Sequence, residues 1–422
     1  MMLTTYLKQL KQNKISSDTI AQMSARSFVI AISVATTIIL RRNYSTAEYG
    51  QYIYFTNYIL LLLSFFDLGT HLTLVREVST KQSDKSKTIS SFIHIRLFLL
   101  TIITMLGLFA LKVLTLPAEL ATIAPFAIVA LIALAIKETI AVIYHSVDQL
   151  KTTSIIHTFS VLISLVAVLG SVLTKQPIAT IFTAQGILIL IISAPISVRL
   201  YQKLKLTLKV DYVSVKHLLK QSIPLGTTLI IFTIYSRIDT LLIEHFHSVE
   251  KVGVYGLSYK VYDNLILPAA FILNALLPSL SKHAATDLAK LKHTIIQSSK
   301  VLIAISILII ITINILATWI ITILTGQPSA TEILILRILS LATLFAYLNH
   351  LTGYLIVALK LQTKALKIAI IALLLNLCLN IMLLPIWGIK AAAIITILTE
   401  ASVLIGTSVI IKKNYNQLAK KK

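Results

Sequence analysis

The sequence has one cysteine, 12 glycines and 16 acidic residues among its 422 positions. A lone thiol, Cys378, cannot close an intramolecular disulfide, so no disulfide scaffold supports this chain. The few glycines form no phosphate-cradling loop or Walker motif, and no nucleophile elbow is present. ATP-driven work would therefore need a partner, and neither an enzyme activity nor a cofactor is expected. His245 and His247 flank no further ligands at metal-site spacing beyond Glu244, so no metal is expected either. The shortage of acids against 38 Lys and Arg leaves a net charge of +22. In a soluble protein that balance suggests nucleic acid, but no aromatic-basic platform or nucleic-acid motif appears. No hydrophilic stretch is long enough for a separate domain, and the first 20 residues lack the apolar core of a cleavable signal.

What the chain does contain is apolar sequence, 57% of all residues. Runs of about 18–25 residues recur along it, each long enough to cross the hydrocarbon core. Backbone in lipid must satisfy its own hydrogen bonds, and continuous rather than alternating runs mean helices. Twelve transmembrane helices are expected, at roughly 24–41, 52–75, 91–114, 122–146, 154–174, 178–199, 222–243, 253–281, 300–325, 332–358, 365–387 and 390–411. Placing both termini in the cytoplasm puts 26 Lys and Arg in inner segments and six in outer loops, as the positive-inside rule requires. Most of the positive charge is therefore topology, although the Arg199–Lys220 connection also suits contact with anionic lipid.

The halves repeat. At an offset of 203, Ser45, Gly50 and Tyr52 fall on Ser248, Gly253 and Tyr255, and Ser33 and Thr37 fall on Ser236 and Thr240. Six helices per half return the chain to the same side, so the repeats are parallel. The expected architecture is an all-α polytopic membrane protein with two six-helix lobes, 1–205 and 206–422, around a central polar cavity.

Three blocks resemble Wzx-type polysaccharide flippases. They are Arg41-Arg42-Asn43-Tyr44-Ser45-Thr46-Ala47-Glu48-Tyr49-Gly50 with Asp67-Leu68-Gly69; Pro224 with Arg237-Ile238-Asp239, Val252-Gly253-Val254-Tyr255 and Leu277-Pro278; and Asn376-Leu377-Cys378-Leu379-Asn380, Pro385-Ile386-Trp387-Gly388-Ile389, Ala391-Ala392-Ala393 and Thr399-Glu400. The resemblance covers most of the chain in order and implies the multidrug/oligosaccharidyl-lipid/polysaccharide exporter superfamily. The paired Arg41-Arg42 and the Lys390 after the proline turn depart from the family pattern. The implied function is flipping of polyprenyl-diphosphate-linked oligosaccharide across the cytoplasmic membrane for capsule, exopolysaccharide, O-antigen or a teichoic-type polymer. Membrane lipids surround it, and glycosyltransferases and a polysaccharide polymerase are the implied partners.

Charge at membrane depth costs about 2.5–3.5 kcal/mol on insertion scales and is normally kept for a cavity or a partner. Arg26, Arg237 and Lys260 are the expected cationic surface for a diphosphate, with Asn264, Asn376 and Asn380 as candidate sugar contacts. Interhelical bonding is the alternative for the last two. Asp67, Asp239, Asp263 and Glu400 are candidate ion-responsive carboxylates; pairing with a basic residue is the alternative for Asp67, and a structural interhelical role the alternative for Asp239. Arg237 and Asp239 lie about 200° apart on a helix and face different directions. Lys260 and Asp263 share a face and are expected either to neutralise one another or to line the cavity. Arg96 is expected to reach lipid headgroups, and the adjacent Lys137 and Glu138 to need separate partners.

The rival readings are a multidrug-type cation-coupled exporter, a lipid II flippase, a membrane glycosyltransferase or polymerase, and a structural scaffold. A lipid II flippase usually carries two further helices, an enzyme a large outer loop, and a scaffold has no use for so many deep charges.

Overall fold

The lengths of the apolar runs are realised as helices longer than the bilayer needs. A computed structural model describes residues 14–80, 85–113, 116–204, 206 and 210–419, with most side chains from Ser27 onward. Among these residues there are fourteen helices and no strand. The first half holds α1 (Lys14–Asn43), α2 (Thr46–Asp67), α3 (Thr70–Thr80), α4 (Lys85–Val113), the single turn α5 (Ala118–Ala121), α6 (Ala124–Ser146), α7 (Leu150–Leu173) and α8 (Ile178–Lys203). The second half holds α9 (Tyr212–Phe246), α10 (Val249–Thr286), α11 (Leu288–Thr325), α12 (Ala330–Ala358), α13 (Gln362–Trp387) and α14 (Ile389–Ala419). Ten described helices are long and apolar enough to cross a membrane, and the bent pair α2–α3 makes eleven. The expected first span lies in α1, whose leading residues are polar. The protein is thus an all-helical, multi-pass membrane protein.

Five of the six helices of the second half overrun their expected inner ends, α9 and α11 the furthest. α9 starts ten residues before the expected 222, and α11 starts at Leu288, well before 300. These extensions are polar and basic, and they turn much of the expected connection between halves into helix. Asp287 joins α10 to α11, its carboxylate accepting from the Lys290 N–H at 2.9 Å as an N-cap.

The expected second helix is broken. α2 stops at Asp67, and Leu68 and Gly69 take left-handed φ values of 42° and 73°. The axis bends by 41° before α3 begins. Local bonds close the break: Gly69 N–H donates to the Asp67 carboxylate at 3.2 Å, and the Thr70 hydroxyl donates to the Asp67 carbonyl at 2.7 Å. A Cβ on Gly69 would lie 2.6 Å from the Ser222 carbonyl oxygen, so only glycine admits α9 here.

The chain forms two compact units, Met1–Asn43 with Tyr58–Ile230, and Tyr44–Asn57 with Ile231–Lys422. The boundary therefore runs through α2 and α9. In the first unit α6 is the central helix, packed by α3, α4, α7 and α8, and α1 lies on α7. In the second, α12 takes that place among α10, α11 and α14. Lipid gives helices no hydrophobic reason to associate, so small residues set the contacts. Ala127, Ala130, Ala133 and Ala135 of α6 are fully buried, and a Cβ on Gly186 of α8 would meet Ala130 at 3.3 Å. Ala391, Ala392 and Ala393 do the same for α14.

The repeat also meets itself inside the second unit. A Cβ on Gly50 would lie 1.9 Å from the Val249 carbonyl oxygen, and one on Gly253 would lie 2.3 Å from that of Thr46. The offset of 203 converts each of these pairs into the other. Reciprocal contacts of this kind are what a two-fold axis between α2 and α10 imposes.

Candidate functional site

Helical geometry separates the charges of α9, and the neighbouring helices decide their partners. Arg237 turns toward α10, where its guanidinium donates to Asp263 at 2.7 Å. Its cationic carbon lies 5.7 Å from the centre of the Tyr259 ring. Tyr259 in turn donates to the Ser236 carbonyl at 3.0 Å. Asp239 faces the other way and is buried. Tyr255 donates to one of its oxygens at 3.1 Å and Asn380 to the other at 2.9 Å.

The asparagines of α13 extend this cluster. The Asn380 amide also reaches the Asn376 side-chain oxygen at 3.1 Å, and Asn376 donates to Thr399 of α14 at 3.3 Å. Both asparagines are fully buried, and in this conformation each also bonds to a neighbouring helix, Asn380 to α9 and Asn376 to α14. Glu400, one residue beyond Thr399, accepts from Asn349 of α12 at 2.7 Å. From the middle of α2, Asn57 donates to Thr240 of α9 at 3.2 Å. Six helices of one unit thus converge on a buried polar centre. Its oxygen atoms (Asp239, the partnerless Asn380 side-chain oxygen, Tyr255 and Thr396) suit a proton or a hard monovalent cation. Among the described residues no group of three His, Cys, Asp or Glu could hold a metal ion.

Lys260 and Asp263 do not neutralise one another. Asp263 is taken by Arg237, and Lys260 has no carboxylate within 4.0 Å among the described residues. Lysine preceding an acid on a helix is the weaker orientation, whereas a guanidinium matches a carboxylate well. Asn264 donates to the Lys260 carbonyl at 2.9 Å, a bond within α10. Arg26 lies in α1, but its side chain is outside the described residues.

The first unit holds a separate set of charges. Asp67 sits at the α2–α3 break rather than in mid-helix, and Arg96 of α4 donates to it. Arg96 is 3% exposed, with Phe66 and Phe92 rings 4.4 and 5.0 Å from its cationic carbon, so it does not reach headgroups. Lys137 and Glu138 pair with one another instead of seeking separate partners, because a long lysine side chain folds back across a helix face. His71 and His145, unremarked in the sequence, share a 2.9 Å ring-nitrogen bond near these charges. Tyr255, Tyr259, Asn349 and Arg96 were equally missed as site residues. Tyrosines falling on the polar stripe of α10 were the available signal.

Comparisons with known proteins agree with the architecture. A family model described as polysaccharide biosynthesis protein matches residues 15–284, and one described as MatE matches 224–382. An uncharacterized membrane protein of Methanocaldococcus jannaschii is 29% identical over 198 residues, 46% of each chain, so the match spans about half the length of that curated relative. An inward-facing multidrug resistance MATE family transporter of the MOP superfamily aligns with a TM-score of 0.76 at 13% identity, over 95% of this chain and 99% of the other. The lipid II flippase MurJ, in an inward closed conformation, aligns at 0.72 and 16% identity, over 94% and 89%. A MOP superfamily transporter from Pyrococcus furiosus aligns at 0.69 and 15% identity, over 96% and 95%. These structures share the fold, and the family model that covers well over half of the chain places it: the protein belongs to the polysaccharide biosynthesis protein family, built on the MOP-superfamily transporter fold.

Proposed function

We propose that the protein flips polyprenyl-diphosphate-linked oligosaccharide repeat units across the cytoplasmic membrane by alternating access, with both termini in the cytoplasm. A glycan carries many hydroxyls, and dehydrating even one without replacement costs about 2–7 kcal/mol. The head group therefore needs a wet polar path while its tail remains in lipid. Two six-helix lobes, 1–205 and 206–422, rocking against one another would supply that path. Glycosyltransferases that assemble the unit and a polymerase that consumes it are the natural partners.

The observation that carries this reading is Lys260. Its Cα lies about 16 Å along α10 from the end at Val249, at 1.5 Å per residue, and its ammonium has no carboxylate within 4.0 Å among the described residues. Such a cation suits an anionic diphosphate and disfavours a cationic cargo. Arg237 would join it when Asp263 releases, and Arg26 would complete the cationic surface. Asn264, Asn376 and Asn380 are assigned to sugar contacts as the lobes open. Asp67, Asp239, Asp263 and Glu400 are assigned to the coupling ion, of which Asp239 is the most enclosed.

The test is reconstitution with a labelled polyprenyl-diphosphate oligosaccharide, reading its accessibility in each leaflet. Lys260→Gln is expected to slow flipping by at least about tenfold, the loss of one charge-assisted bond. Full activity of both Lys260→Gln and Arg237→Gln at normal amounts would sink the site. No movement under any ion gradient or membrane potential would sink the class. The likeness to MATE structures favours a second reading, a cation-coupled exporter. Proteoliposomes that expel an organic cation but leave the labelled lipid in place would establish it instead.

A further inference from the structure

Both units carry a crevice on equivalent faces of their central helices, and the two differ in chemistry. In the first unit a cavity of about 510 Å³ lies between α4, α6 and α8. Its one charged lining residue is Arg96, already paired with Asp67. In the second unit a cavity of about 630 Å³ lies between α11, α12 and α14. These are the third, fourth and sixth spans of each half. The second crevice has apolar walls, including Leu348, Leu351 and Leu404, and its mouth carries Lys292 and Lys412 with no acidic residue in the lining. Both lysines are exposed. The mouth is a fixed place: the Tyr415 hydroxyl donates to the Leu288 carbonyl at 3.1 Å, tying the end of α14 to the start of α11. Ser299 and Ser408 supply hydroxyls on the wall between the lysines and the apolar floor.

We propose that this second crevice is a binding site for an anionic phospholipid of the inner leaflet, its phosphate held by Lys292 and Lys412 and an acyl chain lying in the groove. An amphipathic slot with cations only at the rim matches a lipid that is apolar along its length and negative at one end. The lysines sit where α11 begins and α14 ends, on the side the charge distribution assigns to the cytoplasm. The first-unit crevice has no free cation in its lining and serves as the internal comparison. The assignment stands apart from the transport reading and does not depend on what the protein moves.

The experiment is native mass spectrometry of the purified full-length protein with phosphatidylglycerol and phosphatidylcholine of identical acyl chains. The wild type is expected to retain phosphatidylglycerol preferentially. Lys292→Gln/Lys412→Gln is expected to lose about thirtyfold in that preference, roughly fivefold per lysine. A control variant, Lys282→Gln/Lys367→Gln, removes two exposed inner-side lysines outside the groove and is expected to keep it. An unchanged preference in the first variant, or an equal loss in the control, would overturn the site in favour of diffuse surface charge. Displacement of phosphatidylglycerol by polyprenyl phosphate, in a manner that needs Lys292 and Lys412, would overturn the phospholipid assignment and give the groove to a substrate lipid.

Discussion

Arg237 and Asp263 hold one another at 2.7 Å with about a quarter of each side chain still exposed. Taking away one partner strands a charge at membrane depth, whereas taking away both strands none. Fully buried pairs lose 3–5 kcal/mol when broken, and partial exposure reduces this. Arg237→Gln is therefore expected to lower stability by about 1–3 kcal/mol, and Arg237→Gln/Asp263→Asn to recover most of it. Thermal unfolding in detergent across the double-mutant cycle measures the difference. Asp239 makes the opposite case. An asparagine there keeps an acceptor for Tyr255, and a flip of the Asn380 amide, which now donates to Asp239, would turn its partnerless oxygen toward the new amide. Asp239→Asn is expected to fold normally while its transport loses dependence on an ion gradient, and a variant that keeps that dependence would remove Asp239 from the coupling step.

Elements meet here through glycine. The reciprocal contacts of Gly50 and Gly253 leave no room for a methyl group against backbone carbonyls that cannot move aside. Gly50→Ala or Gly253→Ala is expected to cost about 1–3 kcal/mol or more by overpacking. Gly170 of α7 has nothing within 4 Å of its Cβ position, and Gly170→Ala is expected to be neutral or to gain up to about 1 kcal/mol in helix propensity. Melting temperatures of the three variants separate the cases. The α10–α11 corner adds a pH dependence. The Lys290 N–H bond holds the Asp287 carboxyl below its ordinary value. Its contribution is present above the ordinary carboxylate range and is lost as pH falls through the lowered value. The protection factor of the Lys290 amide, its exchange rate relative to the intrinsic rate at each pH, should fall at low pH in the wild type but not in Asp287→Asn, which keeps its acceptor at every pH.

At the scale of the whole molecule, charge asymmetry predicts an orientation that cysteine labelling can test. With Cys378→Ser as background, Gln327→Cys between α11 and α12 is expected to react with a membrane-impermeant thiol reagent in intact cells. Gln362→Cys, at the first residue of α13, is expected to react only after the membrane is opened. The reverse pattern would invert the topology. Ten spans by composition, eleven with the bent pair, follow from runs that match the bilayer thickness. They were legible because lipid imposes one requirement on every segment. The break at Leu68–Gly69 was not, since it depends on α9 arriving within 2.6 Å of Gly69.

The sequence by itself determined the helical class, the approximate spans, the 203-residue repeat and the opposite facing of Arg237 and Asp239. Each of these depends on run length, spacing or helical periodicity, which are local quantities. Only the tertiary structure decided who pairs with whom. Arg237 finds Asp263 across 26 positions and Arg96 finds Asp67 across 29, while the nearer Lys260 is left without a carboxylate. Partner choice between charges in a membrane is set by which helices pack, because the low-dielectric surroundings reward a matched pair in contact far more than proximity along the chain.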